Sequence, residues 1–152
     1  MPEPWAPSLA DVARHVPLRT RDAATPGSDR LLGTFTATTT PTGEQAQAVI
    51  DDAVAGIVGQ YGTLPASPPA SDQIAVAART AAEWRAAADI EIAYPNRQAD
   101  VNTYAALNAR AADALRTFAL ALQSAGSGTV DLYPIWQAPD AVTTAPWGDL
   151  NV

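Results

Sequence analysis

The residue types that could carry acid–base or metal chemistry are few in this sequence and lie far apart along it. His15 is the single histidine among 152 residues, and there is no cysteine. A lone histidine beside Arg14, near the predicted end of a helix, is usually a capping or surface residue. With one imidazole and no thiol, we expect no transition-metal site.

Two acidic pairs, Asp51 with Asp52 and Asp89 with Glu91, are the other candidates for acid–base chemistry or for a hard-metal site. Adjacent acids on a helix point in different directions, so both pairs favour solvated helix faces. This interpretation leaves no general acid or base among the carboxylates.

The remaining candidates are glycines and hydroxyl side chains. Gly56, Gly59 and Gly62 do not form a phosphate-binding loop, because no strand precedes them and no lysine follows them. Ser8, Ser71 and the threonine cluster have no base partner in view. We therefore expect a protein that is not an enzyme and that binds no cofactor and no metal.

Length and charge exclude further classes of function. A chain of 152 residues is typical of one domain. All nine basic residues are arginines, against sixteen acids, and the net charge of −7 argues against nonspecific binding to nucleic acid or to a membrane surface. The start lacks a basic region followed by an apolar run, and no apolar stretch is long enough to span a membrane, which favours use in the cytosol.

The elements that must position any site are helices, and the strongest helical pattern runs over 101–125. Asp100 is placed to cap its start, and Gly126 to end it. Its apolar positions recur at the spacing of one buried helix face: Val101, Tyr104, Ala111, Leu115, Phe118 and Leu122. One helix cannot bury that face alone, so it needs partners upstream.

A short helix and a threonine-rich segment are predicted in the first forty residues. Ser8 is placed to cap a helix from Leu9 to about Val16, and Pro17 ends it. Residues 31–40 are rich in threonine, which favours strand, so we expect an extended arm or half of a hairpin there.

The second predicted helix has two alternative starts. Either Thr40 is its cap with Pro41 at the first position, or Thr42 is its cap with Gln45 three residues later. Glycines 59 and 62 end it. Its broad apolar face comprises Ala46, Val49, Ile50, Ala53, Val54, Ile57, Val58 and Tyr61.

The third predicted helix begins near Asp72 and ends at Tyr94. Arg79 with Glu83, and Arg85 with Asp89, have the four-residue spacing of helix ion pairs. The predicted inner face comprises Ile74, Ala77, Ala78, Ala81, Trp84, Ala88 and Ile92. We expect helices two, three and four to pack mutually, with Val54, Ile57, Trp84, Leu115 and Phe118 in one core.

The last 26 residues are too aromatic for a disordered linker and too rich in proline for a helix. Two interpretations stay open: the tail folds over the chain's own helices, or its large apolar side chains anchor another protein. The candidate anchors are Tyr133, Ile135, Trp136, Trp147 and Leu150. The predicted fold is mainly α, a small bundle of about four helices over 1–126 with an extended threonine-rich arm and an extended C-terminal tail over 127–152.

A set of short motifs lies in the first half of the chain. They are Trp5-Ala-Pro-Ser-Leu-Ala-Asp-Val-Ala-Arg14-His-Val-Pro17, Arg19-Thr-Arg21-Asp22, Gly33-Thr-Phe-Thr36 and Thr40-Pro-Thr42, followed by an acidic helix. The set resembles head-to-tail adaptor (connector) proteins of long-tailed bacteriophages, in the version common in phages of GC-rich hosts. The resemblance covers roughly residues 4–62 by motif, and the rest only by helix order and length.

The resemblance implies a structural subunit of the virion neck, assembled in the host cytoplasm. Such subunits form a ring, commonly of twelve copies, below the portal at the capsid vertex. The ring extends the DNA channel and receives the next head-completion (stopper) protein or the tail. In related adaptors the C-terminal segment docks on the portal, a role that the aromatic tail of this chain fits by its chemistry.

Charge placement predicts how copies meet in such a ring. Arg14, Arg19 and Arg21 lie beside the first helix, and the acidic surplus, including Asp51 and Asp52, lies in the second and third helices. We expect the basic cluster of one copy to meet the acidic helices of the next. Genomic DNA would pass an acidic ring without sequence-specific binding. The alternative function is a small helical protein-binding or regulatory module, which a monomer or dimer in solution would favour.

Overall fold

The computed structural model describes residues 3–24, 27–62, 64, 72–94 and 101–124, apart from the side chain of Val101. These ranges form α1 (Leu9–Ala13), a short 3-10 helix (Pro17–Thr20), α2 (Gly43–Tyr61), α3 (Gln73–Ala93) and α4 (Val101–Ser124), and they contain no strand. The predicted mainly helical fold is confirmed. None of the described helices is long and apolar enough to cross a membrane. The tail, 127–152, lies outside the described residues.

Helix α1 begins where its cap predicts and ends earlier than the periodicity suggests. The Ser8 hydroxyl accepts from the Asp11 N–H, and the Asp11 carboxylate accepts from the Ser8 N–H. The helix ends at Ala13, and Val16 has φ −131° and ψ 57°. A residue before proline avoids the helical region, so Pro17 ends the helix a few residues before its own position.

Helix α2 uses the second of its two alternative starts. Thr42 is the cap, and its side chain and that of Gln45 satisfy each other's backbone N–H groups. The helix ends at Tyr61, followed by Gly62 at φ +83°, a conformation that L side chains rarely adopt. At the start, a Cβ on Gly43 would lie 3.1 Å from the Phe35 carbonyl oxygen, so glycine permits this close approach.

The threonine-rich segment 31–40 forms turns instead of a strand, with one isolated antiparallel bridge between Leu31 and Arg21. Its threonine side chains bond to nearby backbone: the Thr39 hydroxyl accepts from the Thr36 N–H at 2.9 Å. Such local bonds compete with strand pairing, which explains why the strand preference of threonine is overridden here. The one aromatic side chain of the segment, Phe35, is buried in the core.

Helix α3 is the centre of the fold, because α1, α2 and α4 all pack against it. Its buried residues lie around most of its circumference: Ala75, Ala78, Ala81, Ala82, Glu83, Ala86, Ala87, Ala88 and Ile90. Alanine side chains let neighbouring helices approach closely. The single inner face predicted from the sequence was therefore too narrow, and Ile92, which belonged to it, is 57% exposed in the last turn.

Helix α4 packs on α3 through most of its predicted face. Ala111, Phe118 and Leu122 are buried, Tyr104 and Leu115 are partly buried, and Leu107 joins the buried set. All five predicted core residues (Val54, Ile57, Trp84, Leu115 and Phe118) belong to or pack against one cluster. The helices do not all pack mutually, however: α2 and α4 make no backbone contact, and they meet through the edge-to-face rings of Tyr61 and Phe118, with centroids 5.2 Å apart.

The Phe118 ring should dominate the stability contributed by α4. It is fully buried and contacts Tyr61 edge to face. Phe118→Ala should lower the free energy of unfolding by about 3–5 kcal/mol, because it removes apolar burial and leaves a cavity. Leu120→Ala is the matched control, since Leu120 is 57% exposed on the same helix. Equal losses in urea denaturation would show that α4 does not pack through Phe118.

Candidate functional site

Three polar contacts attach the N-terminal segment, residues 3–24, to one side of α3. Arg79 Nε donates to the Trp5 carbonyl oxygen at 3.3 Å, His15 Nε2 lies 3.1 Å from a Glu83 carboxylate oxygen, and Arg19 Nε donates to Glu91 at 3.0 Å. The three α3 residues span about 18 Å along the helix axis. These contacts fix where the segment lies on the alanine-rich helix.

His15 is neither the helix cap nor the surface residue that the sequence predicts. Its ring lies 3.9 Å from that of Trp84, centroid to centroid, and its Nε2 atom contacts Glu83. The imidazole and the carboxylate are both largely buried, 17% and 11% exposed. Glu83 therefore contacts the N-terminal segment instead of pairing with Arg79 along the helix.

The Arg19–Glu91 pair is the most buried ion pair among the described residues, with side chains 4% and 14% exposed. Both guanidinium nitrogens that face Glu91 donate to its two carboxylate oxygens, which is a bidentate geometry. The prediction that Glu91 lies on a solvated face is thus wrong. Arg19, predicted to contact a neighbouring copy, is occupied within its own chain.

The other predicted subunit-contact residues lie at the surface and are not brought together within one chain. Arg14 pairs with Asp11, and Arg21 pairs with Asp29 at 3.2 Å. Asp51, which accepts from Gln47 at 2.9 Å, and its neighbour Asp52 are exposed on α2. Their exposure leaves them available to another copy, so their contact between copies stays a prediction. The docking residues Tyr133, Ile135, Trp136, Trp147 and Leu150 lie outside the described residues.

Sequence reasoning missed Trp5 as an anchor of the fold. Its side chain is 1% exposed, and its backbone carbonyl accepts from Arg79. A signal existed: Arg79, Glu83 and Glu91 are charged residues on an alanine-rich helix, separated by one turn and then by two turns. The sequence assigned Arg79 and Glu83 to an ion pair along the helix and Glu91 to solvent, because partners far apart in the sequence are not visible from spacing.

Two features of the described residues bear on metal and ligand binding. No group of three or more histidine, cysteine or acidic side chains within them could hold a metal ion. An open depression of about 270 Å³ at the start of α2 is lined by Thr36, Ala37, Thr42, Gly43 and Glu44. The Thr36 hydroxyl lies 3.1 Å from that of Thr38, and the Thr42 hydroxyl caps α2, so both are used within the chain.

The capping box of α1 is the clearest electrostatic feature. Hydrogen bonds from the hydroxyl and then from the backbone N–H of Ser8 hold the pKa of the Asp11 carboxyl below its ordinary value of 3.8, assisted by the charges of Arg14 and Arg79. The ionised carboxylate therefore stabilises the start of the segment that packs on α3.

Removing the buried arginine should be far more costly than removing an exposed one. Arg19→Ala leaves the Glu91 carboxylate buried without its partner, and we expect a loss of about 3–5 kcal/mol in the free energy of unfolding. Arg14→Ala removes an exposed ion pair, for which about 1 kcal/mol or less is typical. Chemical denaturation of both variants measures the difference, and similar values would contradict the buried pairing.

The capping box should give stability that depends on pH. Because the folded pKa of Asp11 lies below 3.8, its contribution is complete above that pH and is lost as the pH falls through the lower folded value. Asp11→Asn should therefore lower the melting temperature at neutral pH, and the difference from the unmodified chain should shrink in acid. Asp52→Asn, at an exposed site on α2, is the control. A difference that persists unchanged in acid would contradict the prediction.

Comparison with known proteins adds no relative on which to transfer a role. No protein-family model, no curated protein and no solved structure matches this chain.

Proposed function

We propose that this chain is a head-to-tail adaptor of a long-tailed bacteriophage, a structural protein of the virion neck. In this role it forms a homo-oligomeric ring, of twelve copies as in the proteins it resembles, below the portal at the capsid vertex. The ring extends the DNA channel and receives the head-completion (stopper) protein or the tail. The chain acts by assembly, without catalysis.

One observation carries the proposal: the motif residues behind the resemblance are the residues that build the N-terminal half of the fold. Trp5, Val12, Val16, Phe35 and Pro41 are buried. Ser8 and Thr42 are the caps of α1 and α2, His15 and Arg19 contact α3, and Gly33 has φ +73°. A resemblance in residues with such roles supports a shared fold more than surface similarity would.

The charge of the chain supports the passage of DNA through such a ring. Each copy carries a net charge of −7, so a ring of copies repels the phosphate backbone. Tight nonspecific binding needs basic side chains that release counterions, and the described arginines are largely occupied by acids within the chain. Genomic DNA can thus slide through without sequence-specific contact.

The C-terminal tail supplies the proposed contact with the portal. The five candidate anchors lie within 127–152, among them Trp136 and Trp147, and tryptophan is the residue type most enriched at the energetic centres of interfaces. Binding must repay the entropy lost when such a segment is ordered, and a few buried aromatic rings can supply that free energy.

Attachment to portal-bearing capsids tests the proposal. The full chain should co-sediment with capsids that carry the portal, and deletion of 127–152 should abolish attachment while circular dichroism still reports a helical fold. Trp136→Ala with Trp147→Ala should weaken attachment strongly, because truncating an interface tryptophan costs about 2 kcal/mol or more.

The control variant keeps the aromatic rings and changes the charge of the tail. Asp131→Asn with Asp140→Asn should leave attachment unchanged. A full chain that does not attach to portal-bearing capsids and remains a monomer or dimer would overturn the proposal, in favour of a protein-binding or regulatory module. A tail-less chain that still restores infectious tailed particles would overturn the role of the tail.

A further inference from the structure

Helices α2 and α4 each pack on α3, and each has an outer face that no other described residue covers. Among the described residues, no Cα atom of α2 lies within 8 Å of a Cα atom of α4. The outer faces are therefore two separate surfaces of one subunit. Their charges and side-chain sizes differ in a complementary way.

Arg110, on α4, is exposed and forms no ion pair or hydrogen bond with described residues. Every other described arginine has a hydrogen bond, an ion pair or an acidic neighbour within the chain: Arg14, Arg19, Arg21, Arg30, Arg79, Arg85 and Arg116. In a chain of net charge −7, one unpaired guanidinium is available for an acid from outside.

The outer face of α4 also carries an exposed large apolar side chain. Leu120 is 57% exposed, one of three large apolar side chains exposed to at least this degree among the described residues. Ala106, Arg110, Asp113, Thr117 and Leu120 recur at three- and four-residue spacing, and all five are exposed. That spacing places Arg110 and Leu120 on the same side of the helix.

The outer face of α2 carries acidic side chains and, besides them, only small ones. Its exposed residues at helical spacing are Glu44, Ala48, Asp52, Ala55 and Gly59. Neither Glu44 nor Asp52 forms an ion pair with a described residue. The other three residues of this face are alanine or glycine, so a neighbouring helix can approach closely.

Two glycines on α2 have no role within the chain that explains them. Gly56 and Gly59 lie inside a helix, where glycine is a poor helix former relative to alanine. A Cβ atom added at either position would meet no atom within 4 Å, and neither has a positive φ. Neither packing nor backbone conformation within the described chain requires a glycine there, whereas close approach by another molecule would.

We infer that the outer face of α4 in one copy packs against the outer face of α2 in the next copy, with Arg110 facing Asp52 and Leu120 lying over the small residues around Ala55 and Gly59. The partner is a second copy of this chain, because the chain itself supplies both halves of the contact. Among the described residues, the α4 face has an unpaired arginine with an exposed leucine, and the α2 face has unpaired acids with small side chains. Two different faces in contact make the assembly head-to-tail, which closes into a ring when the rotation permits.

In this contact Arg110 supplies the basic half of the interface, which the charge pattern of the sequence gives to Arg14, Arg19 and Arg21. Arg19 is buried against Glu91, and Arg14 and Arg21 are exposed but paired with Asp11 and Asp29. The contact keeps the acidic half, Asp52, where the sequence predicts it. The inference rests on the proposed function in so far as an adaptor ring needs a head-to-tail contact between copies.

Disulfide trapping tests the contact, because the chain has no cysteine of its own. Ala106→Cys, one turn before Arg110, is mixed under mild oxidation with Ala55→Cys or with Ala48→Cys, one turn after or before Asp52. These substitutions keep the charges of both faces. A 106–55 or 106–48 disulfide must join two copies, because the Cα atoms of α2 and α4 in one chain are more than 8 Å apart and a disulfide needs closer ones.

The 106–48 mixture should form the disulfide-linked dimer faster than the control mixture by on the order of tenfold or more, since a bound neighbour raises the effective thiol concentration. With Arg110 at Asp52 and Leu120 over Ala55 and Gly59, the two helices run in the same direction, so Ala106 lies beside Ala48. The control is Ala106→Cys mixed with Ala23→Cys, an exposed alanine in a loop. Faster linking of the 106–55 mixture instead would show that the helices run in opposite directions, and it would overturn the position of Leu120 over Ala55 and Gly59. Each single variant alone should link no faster than the control, because the contact joins different faces.

Charge reversal supplies the second arm. Arg110→Glu in the Ala106→Cys chain should reduce the linking rate to that of the control, and Asp52→Arg in its reaction partner should restore it. Arg30→Glu makes the same change of charge away from both faces and should have no effect. Linking of both mixtures at the control rate, at low and at high protein concentration, would overturn the inference.

The outcome is separable from that of the proposed function. Linking with purified protein but no attachment to portal-bearing capsids would retain the contact and reject the adaptor. Attachment to those capsids, with no preferential linking either free or on the capsid, would retain the adaptor and reject this interface.

Discussion

The fold depends on one alanine-rich helix, α3, being buried around most of its circumference. Because alanine side chains are short, α1, α2 and α4 can all approach its backbone closely. Each helix–helix contact buries mostly small side chains, so few large side chains fix the packing. Trp5 and Phe118 are the two largest that are almost fully buried. A core of this kind gains stability from the burial of many small side chains, and no other described residue covers the outer faces of α2 and α4.

A surface made of alanine side chains is nearly smooth, so it does not fix the position of a neighbouring segment. The polar contacts along α3 fix that position. Arg79, Glu83 and Glu91 bind successive parts of the N-terminal segment over about three turns of helix. Buried charges with good geometry add modest net stability, but they penalise any other arrangement strongly, since a shifted segment would leave a charge buried without its partner. The segment is thereby held in one register.

The internal use of charge also determines which charges remain for other molecules. When Arg19 is bound to Glu91 and Arg14 to Asp11, the basic groups near the first helix have acids of their own chain. Among the described residues, what remains is an uneven charge distribution: Glu44 and Asp52 on α2 form no ion pair, and neither does the guanidinium of Arg110 on α4. The overall charge of a strongly acidic subunit opposes association with copies of itself. Association therefore needs a local surface where opposite charges meet.

The sequence by itself determined the helices and the start of α1, and it narrowed the start of α2 to two caps, because caps and apolar periodicity are local signals. Thr42 with Gln45, and Ser8 with Asp11, act within four residues of chain, and the face of α4 around Phe118 follows from spacing alone. Only the tertiary structure decided which charges are buried: His15 and Arg19 find their partners 68 and 72 residues away. It also decided that α1 packs on α3 in addition to the two predicted neighbours, α2 and α4. Spacing reports which residues share a face of one helix, but it carries no information on which distant face will cover it.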